Sequence, residues 1–103
     1  MYKPLPDSLT IETSKVNGLG LFAKEGIAQG TNLGTSHLKF GEQIIRTPLG
    51  GFINHSDKPN CMKAEVRVNT YKVWRVFALR DIKEGEELTL EYTFYKIYDE
   101  GKN

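Results

Sequence analysis

Cysteine is almost absent from this chain of 103 residues, in which Cys61 stands alone. One cysteine excludes an intrachain disulfide. Together with His37 and His55 it provides too few ligands for a four-coordinate zinc site, so we expect no metal.

Long apolar runs are also missing. The longest, residues 76–79, is far shorter than the roughly 20 residues that cross a bilayer. Residues 1–10 lack the apolar centre of a signal peptide. These absences predict that the protein has no membrane partner and is intracellular, in the cytoplasm, or in the nucleus if it acts in a eukaryotic cell.

An excess of charge of one sign is lacking as well, since the formal net charge is +1. Such a chain has no overall attraction to nucleic acid or to an anionic membrane. One local pattern keeps a small β-rich nucleic-acid binder open as an alternative, because basic residues interleaved with aromatic ones can track a single strand. These residues are Arg67, Lys72, Arg75 and Arg80, with Tyr71 and Trp74. The near-neutral charge favours a simpler explanation, the solvated face of a hairpin.

The pattern that is present is one of short strands. Apolar and polar residues alternate over residues 9–13 and again over residues 64–68. Residues 71–78 are rich in aromatic and β-branched residues, and a turn at Asn69 and Thr70 would join them to residues 64–68 as a hairpin. A last strand is predicted over residues 88–92.

No segment keeps a helical apolar period over ten residues, and glycine and proline interrupt residues 35–51. The sequence therefore predicts one mostly β domain. An arm with two prolines precedes it over residues 1–8, and a polar tail follows over residues 99–103.

A short internal echo is visible between residues 23–30 and 78–85. In both segments an alanine, an isoleucine and a glycine have the same spacing. Each segment would leave a strand and enter a tight turn that needs glycine. Chance recurrence of a common turn is the competing explanation.

Three motifs contain residues that could bind a ligand or act on it. Gly18 and Gly20 let the backbone approach a ligand closely, although such a pair is usually only a turn. Asn54, followed by His55 and Ser56, offers the donor and acceptor that hold a carboxylate, a ribose or an adenine edge. In an isolated tripeptide, however, a turn-capping asparagine beside a core histidine is more common. Residues 87–92 form an acidic turn leading into a strand that ends in tyrosine, which in most proteins is a packing residue.

The order and separation of these motifs make the chain similar to SET domains. The three motifs of that family are matched at residues 18–23, 52–61 and 82–92. The resemblance extends over about residues 9 to 95, and we take residues 9–98 as the domain. The short length is similar to that of stand-alone SET proteins of viruses and bacteria. The resemblance implies a SET-domain (β-clip) fold of several small sheets, in which the last segment passes beneath a loop as a C-terminal pseudoknot.

The resemblance also implies a protein-lysine N-methyltransferase that uses S-adenosylmethionine. Tyr92 is the expected catalytic residue and would lie where the sulfonium methyl group meets the lysine nitrogen. Asn54 and the backbone of His55 would hold polar edges of the cofactor. An aromatic residue after Tyr92 would cover the adenine, and we take Tyr95, although the motif does not distinguish it from Phe94 or Tyr98. The glycine loop would provide the remaining contacts, from Asn17, Gly18, Leu19, Gly20 and Leu21.

The expected substrate channel is lined by Phe52 and Leu90. Leu90 stands two places before Tyr92, where an aromatic residue of the family often tunes the number of methyl groups added. Leucine has no hydroxyl to hold the water that crowds a methylated amine, so we expect more than one methyl group to be added.

Two departures from the family pattern concern zinc and the substrate groove. Asp57 stands where many SET proteins have a zinc-binding cysteine, and no cysteine follows Cys61. Only 33 residues separate Gly20 from Asn54, so the insert that helps to form the peptide groove is short. A SET-like module that binds the cofactor or a peptide with little turnover is therefore an alternative to the enzyme.

The expected partner of the enzyme is a lysine-containing protein segment such as a histone tail. The sequence does not fix the oligomeric state, and a homodimer that completes the groove of so small a domain is an open alternative to a monomer.

Overall fold

Eight strands and one short helix are found in residues 5–16 and 18–91, the part of the chain that the computed structural model describes. The strands are β1 (Leu9–Thr13), β2 (Leu19–Ala23), β3 (Asn32–Phe40), β4 (Gln43–Arg46), β5 (Asn54–His55), β6 (Cys61–Val68), β7 (Tyr71–Ala78) and β8 (Glu87–Leu90). The helix, α1 (Pro48–Phe52), lies between β4 and β5. Within these ranges no helix has the length and apolar character needed to cross a membrane.

The strands form small sheets that meet at β8. Their order is β1-β2-β8-β6-β7-β3-β4, and β5 also pairs with β8. Neighbouring strands are antiparallel except that β8 runs parallel to β5 and β6. Parallel neighbours require a long crossover. Between β5 and β8 it is formed by β6, β7 and the following turn, and between β6 and β8 by β7 and that turn. This connection returns the last motif of the sequence to the central motif.

The hairpin of β6 and β7 is the longest paired region and confirms the predicted hairpin. Its register extends from Cys61 opposite Ala78 to Val68 opposite Tyr71. Asn69 in the turn has a φ of 52°, a left-handed conformation that asparagine tolerates better than most residues. The predicted first strand, residues 9–13, is confirmed as β1.

The two echoing segments of the sequence pack against each other. Ile27 and Ile82 exchange both backbone hydrogen bonds, each 2.8 Å long. Gly30 and Gly85 each donate a backbone N–H, also at 2.8 Å, to the alanine that begins the other segment. Their φ angles are 87° and 89°, in the left-handed region that favours glycine. The echo therefore marks a local two-fold arrangement of two turns, and both turns need glycine as predicted.

One apolar core holds the sheets together. Leu21 and Leu88 are directly paired across β2 and β8, and both are fully buried. The other buried members of this cluster are Leu9, Ala23, Ile27, Leu33, Leu49, Cys61, Val76, Ala78, Ile82 and Leu90. Because both β2 and β8 contribute to it, the core fixes the glycine loop against the last motif.

Residues 35–51 contain more regular structure than their glycines and proline suggested. Strand β3 continues to Phe40 through two register shifts, which absorb the irregular sequence. Thr47 caps α1, since its Oγ1 accepts a hydrogen bond from Gly50 N at 3.2 Å. Pro48 at the start of α1 suits a helical first turn because the missing N–H is not needed there.

Candidate functional site

Asn54 begins β5 and joins the central motif to the other two motifs. Its Nδ2 donates to Leu19 O at 3.2 Å and to Glu87 Oε2 at 2.8 Å. The two contacts use both protons of the amide, and so they fix its plane and the direction of Oδ1. The fold thereby brings together residues that are 35 and 33 positions apart in the sequence.

Gly20 lies directly against this polar contact. A Cβ atom at this position would collide with Glu87 Oε2 and would lie 3.0 Å from Asn54 Nδ2. Only glycine leaves room for the carboxylate and the amide to meet the backbone of β2. Gly18, by contrast, has open space where a Cβ atom would lie, and its carbonyl oxygen accepts a hydrogen bond from Ser14 N at 2.8 Å.

Glu87 is a member of the site that the sequence did not single out. Ser14 Oγ lies 2.8 Å from both of its carboxylate oxygens, and Asn54 donates to one of them. The neighbouring Glu86 points elsewhere and pairs with Arg80 at 3.0 Å. Glu86 lies in the turn that precedes β8 and accepts from Lys83 N at 2.7 Å, so the two adjacent glutamates have different partners. No local feature of the sequence distinguishes them, because the partners of Glu87 are distant along the chain.

Asn60 is a second residue that was given no separate role. It is 3% exposed, and its Nδ2 donates to Glu87 O at 2.9 Å. Its Oδ1 accepts from Thr89 N at 2.8 Å, and its backbone O accepts from Leu79 N at the same distance. These bonds satisfy buried backbone groups of β8 and hold it beside the central motif.

His55 is placed by its backbone, which pairs with Leu90 in the parallel ladder of β5 and β8. Its ring is exposed, with Nε2 at 4.0 Å from Asp57 Oδ1. The expected contact of the His55 backbone with a cofactor stays a prediction.

The two expected channel residues lie at the edge of the core. Leu90 is 7% exposed and belongs to the core cluster, against which Phe52 packs from the end of α1. Both side chains present apolar surface near β5. Whether that surface meets a substrate stays a prediction.

Three expected site residues lie outside the described residues. These are Asn17 in the glycine loop, Tyr92 and Tyr95. Glu91, the last described residue before Tyr92, is exposed and directly follows β8.

Cys61 on β6 and His37 on β3 have strongly shifted pKa values. Burial raises the pKa of the Cys61 thiol to about 12, so the thiol stays protonated and is not a nucleophile at neutral pH. Burial, helped by the charges of Lys63 and Arg46, lowers the pKa of His37 to about 4. His37 is therefore neutral at neutral pH, with Nδ1 at 2.9 Å from Ser36 Oγ.

The surface expected of a nucleic-acid binder is not formed. Trp74 is 2% exposed and so offers no face on which a base could stack. Tyr71 stacks on Phe40 with ring centroids 4.8 Å apart, and Lys72 pairs with Glu65 at 3.5 Å. These contacts favour the hairpin-face explanation of the basic and aromatic residues.

Residues 5–16 and 18–91 contain no group of three or more His, Cys, Asp or Glu side chains arranged to hold a metal ion. The expectation that the protein carries no metal stays a prediction for the purified protein.

A family model for the SET domain matches residues 42–93. This range is half of the chain and includes Asn54, Glu87 and Tyr92. The chain belongs to the SET domain family. The resemblance inferred from three short motifs is confirmed.

Relatives of this SET domain include two much longer proteins. The sequence is 40% identical over 73 residues to histone-lysine N-methyltransferase ASHH2 of Arabidopsis thaliana, covering 63% of this chain and 4% of that protein. It is 51% identical over 53 residues to histone-lysine N-methyltransferase trithorax of Drosophila virilis, covering 52% of this chain and 1% of that protein. The chain thus spans only a small fraction of the length of these relatives.

The fold is shared with a crystal structure of a candidate histone methyltransferase from Plasmodium falciparum. The TM-score is 0.72 at 23% sequence identity, covering 84% of this chain and 94% of that chain. At this identity the likeness shows the fold. The predicted mostly β SET-domain fold is confirmed.

Proposed function

We propose that this SET domain binds S-adenosylmethionine and transfers its methyl group to the side-chain amine of a lysine in another protein. The observation that carries the proposal is the convergence of Asn54 on Leu19 and Gly20, beside Glu87 at the start of β8. Membership of the SET family supports this class of reaction, and two relatives bear the name histone-lysine N-methyltransferase.

The residues around Asn54 suit a ligand with both donors and acceptors at its edges. S-adenosylmethionine has a carboxylate, an ammonium group, ribose hydroxyls and an adenine. Because both amide protons of Asn54 are used within the protein, its Oδ1 would accept from donors of the ligand, and backbone N–H groups of the loop around Gly18 would donate to the ligand's acceptors. The hydrogen bonds that Asn54 makes to Leu19 O and Glu87 hold the amide in place before the ligand arrives, which reduces the entropy lost on binding.

When bound, the cofactor would supply a methyl group on a positively charged sulfur. The chain's own task is to align the lysine nitrogen with that methyl group and to exclude water. A free lysine has a pKa of about 10.4, and apolar surface such as that of Phe52 and Leu90 disfavours its charged form. The hydroxyl of Tyr92 would orient and polarise the reacting groups, so that no strong general base is needed.

The substrate that we propose is a lysine in an exposed protein segment such as a histone tail. The names of the relatives point to histones, but they describe proteins of which this chain covers a small part. The short segment between Gly20 and Asn54 forms β3, β4 and α1, and it would provide only a small groove for such a segment.

The experiment is a methyl-transfer assay that compares the parent protein with Tyr92→Phe. Both proteins are incubated with methyl-labelled S-adenosylmethionine and a panel that includes histones and other lysine-bearing proteins. The substitution removes one hydroxyl and keeps the ring. We expect the transfer rate to fall about 100-fold or more, as when one transition-state hydrogen-bond donor is lost. Cofactor affinity, measured by calorimetry, should stay close to that of the parent.

The alternatives give different outcomes in this assay. A Tyr92→Phe variant that transfers methyl groups as fast as the parent would remove Tyr92 from catalysis. A parent that binds the cofactor but methylates no protein of the panel would favour the binding module with little turnover. A parent that neither binds nor transfers would overturn the proposal.

A further inference from the structure

One hydroxyl group ties the loop between β1 and β2 to β8. Ser14 Oγ lies 2.8 Å from both carboxylate oxygens of Glu87, and because a carboxylate only accepts, the hydroxyl donates its proton to Glu87. The same Oγ accepts from Val16 N at 2.9 Å, and Ser14 N donates to Gly18 O at 2.8 Å. Ser14 therefore connects the glycine loop to the carboxylate that orients the amide of Asn54.

Glu87 is confined by two further contacts. Its Oε2 accepts from Asn54 Nδ2 at 2.8 Å, and the same oxygen lies so close to Gly20 that a Cβ atom there would collide with it. A displacement of the carboxylate would therefore disturb the amide of Asn54 or press on the backbone of β2. If the loop moved instead, Ser14 would carry Gly18 with it through their hydrogen bond. Either movement changes the proposed cofactor site.

A phosphoryl group on Ser14 Oγ would convert this attraction into repulsion. The ester removes the proton that the hydroxyl donates, and it adds about 1.5 to 2 negative charges at pH 7. A phosphate beside a carboxylate destabilises the contact by like-charge repulsion. Lys15 is the next residue and is exposed, so it offers a cation that would pair with the phosphate away from Glu87.

Ser14 lies in a part of the chain that a modifying enzyme can reach. It is half-buried and follows β1, the strand at one end of the sheet order. Around it, Val16 and Leu19 are 56% and 51% exposed. Segments with few buried apolar contacts open locally at a low free-energy cost, and local opening presents the hydroxyl for modification.

We propose that Ser14 is a phosphorylation site and that its modification weakens binding of the cofactor. The inference rests on the cofactor site of the proposed function. A protein kinase supplies the phosphoryl group from a bound nucleoside triphosphate. Ser14 Oγ forms a bond to the γ-phosphorus, and the bond from that phosphorus to the β–γ bridging oxygen breaks. The nucleoside diphosphate leaves with the electron pair of the broken bond, and the hydroxyl proton passes to a base of the kinase.

The test compares the parent with protein that carries phosphoserine at position 14, introduced during translation. Titration calorimetry with S-adenosylmethionine should show an affinity weaker by about 10-fold or more after phosphorylation. A second readout needs no cofactor. The side-chain amide signals of Asn54 in NMR spectra should shift, because the hydrogen bond to Glu87 is disturbed. Incubation of the parent with serine/threonine kinases and ATP, followed by peptide mapping, should place phosphate on Ser14.

A charge cycle separates repulsion from simple loss of the hydroxyl. Ser14→Glu should weaken cofactor binding by about 10-fold, whereas Ser14→Ala adds no charge and should weaken it by about twofold to threefold. When Glu87→Gln is already present, Ser14→Glu should weaken binding by less than about twofold, because the repelling carboxylate is gone. Thr13→Glu is the matched control, since it adds the same charge one residue earlier, at an exposed position of β1, and should leave affinity unchanged. Circular dichroism melting confirms that each variant is folded.

The outcomes distinguish this inference from the proposed function. Phosphorylated protein that binds the cofactor as tightly as the parent would overturn the inference and leave the proposed function standing. An equal effect of Ser14→Glu with and without Glu87→Gln would overturn it as well, since the effect would not come from the carboxylate. Phosphate found only on other residues would remove Ser14 as the acceptor. A parent that binds no cofactor would overturn the proposed function, and an unchanged Asn54 amide signal after phosphorylation would then overturn the link from Ser14 to Asn54.

Discussion

Glu87 shows how one side chain can orient another in a proposed cofactor site. Its carboxylate is held by Ser14 and in turn holds the amide of Asn54. Hydrogen bonds to a charged group are about twice as strong as neutral ones, so this contact resists rotation of the amide. Glu87 is therefore a positioning residue for Asn54 in the proposed cofactor site.

Glu87→Gln should weaken cofactor binding while leaving the fold intact. Glutamine keeps the shape but replaces charge-assisted hydrogen bonds by neutral ones, at a cost of about 1 kcal/mol, or roughly fivefold in affinity. The measurement is the rise in melting temperature as S-adenosylmethionine is added, which reports affinity. The melting temperature without cofactor should change little.

Glu86→Gln is the matched control, because Glu86 pairs with Arg80 and does not contact Asn54. It should leave the cofactor-dependent rise in melting temperature unchanged. Equal responses of the two variants would mean that Glu87 does not position the amide.

The sequence predicted some of these residues and not others for a physical reason. Gly20 and Asn54 stand in motifs whose chemistry is readable locally. The link between Ser14 and Glu87 spans 73 residues and exists only because β2 brings the two segments together. The role of Asn60 could not be predicted either, because its side chain bonds to backbone groups of β8 and no pattern of side chains indicates such bonds.

At the scale of elements, alternation and turn chemistry predicted β1 and the β6–β7 hairpin. The same rules left β4 and α1 unassigned. Gln43–Arg46 has two adjacent apolar residues and no alternation, since both sides of this edge strand are exposed. Helix α1 has five residues, too few to show a helical period. The echo predicted two turns, but the sequence did not predict that the turns contact each other through Ile27 and Ile82.

The packing of β3 gives the protein a stability that depends on pH. His37 on β3 faces Lys63 of β6 and Arg46 of β4, and partial burial together with these charges lowers its pKa to about 4. In the unfolded chain its pKa would return to about 6.5, so between these values the unfolded state binds the extra proton. The free energy of unfolding should therefore fall as the pH falls from about 6.5 to about 4.

The His37→Gln variant isolates this effect from the titration of carboxylates. Urea unfolding at pH 7 and pH 4.5 should show that the parent loses more stability than the variant. We expect an extra loss of about 1 kcal/mol, smaller than the full shift implies because the ring is partly screened by water. An equal loss in both proteins would contradict the assignment to His37.

At the scale of the whole molecule, three short motifs in a fixed order were enough to predict the family and its fold. Each motif lies where the topology requires a close approach. Gly20 lies against the carboxylate of Glu87, Asn54 bridges β2 and β8, and β8 runs parallel to β5.

The central claim is that the site organised by Asn54 binds S-adenosylmethionine. Titration calorimetry of the cofactor into the purified parent protein and into Asn54→Ala tests it most directly. The account predicts saturable binding of one cofactor per chain. It also predicts that the variant binds more weakly by about 1–3 kcal/mol, or roughly 5- to 150-fold, because ligand groups lose their partner. A parent that takes up no cofactor, or an Asn54→Ala variant that binds it as tightly as the parent, would contradict the account.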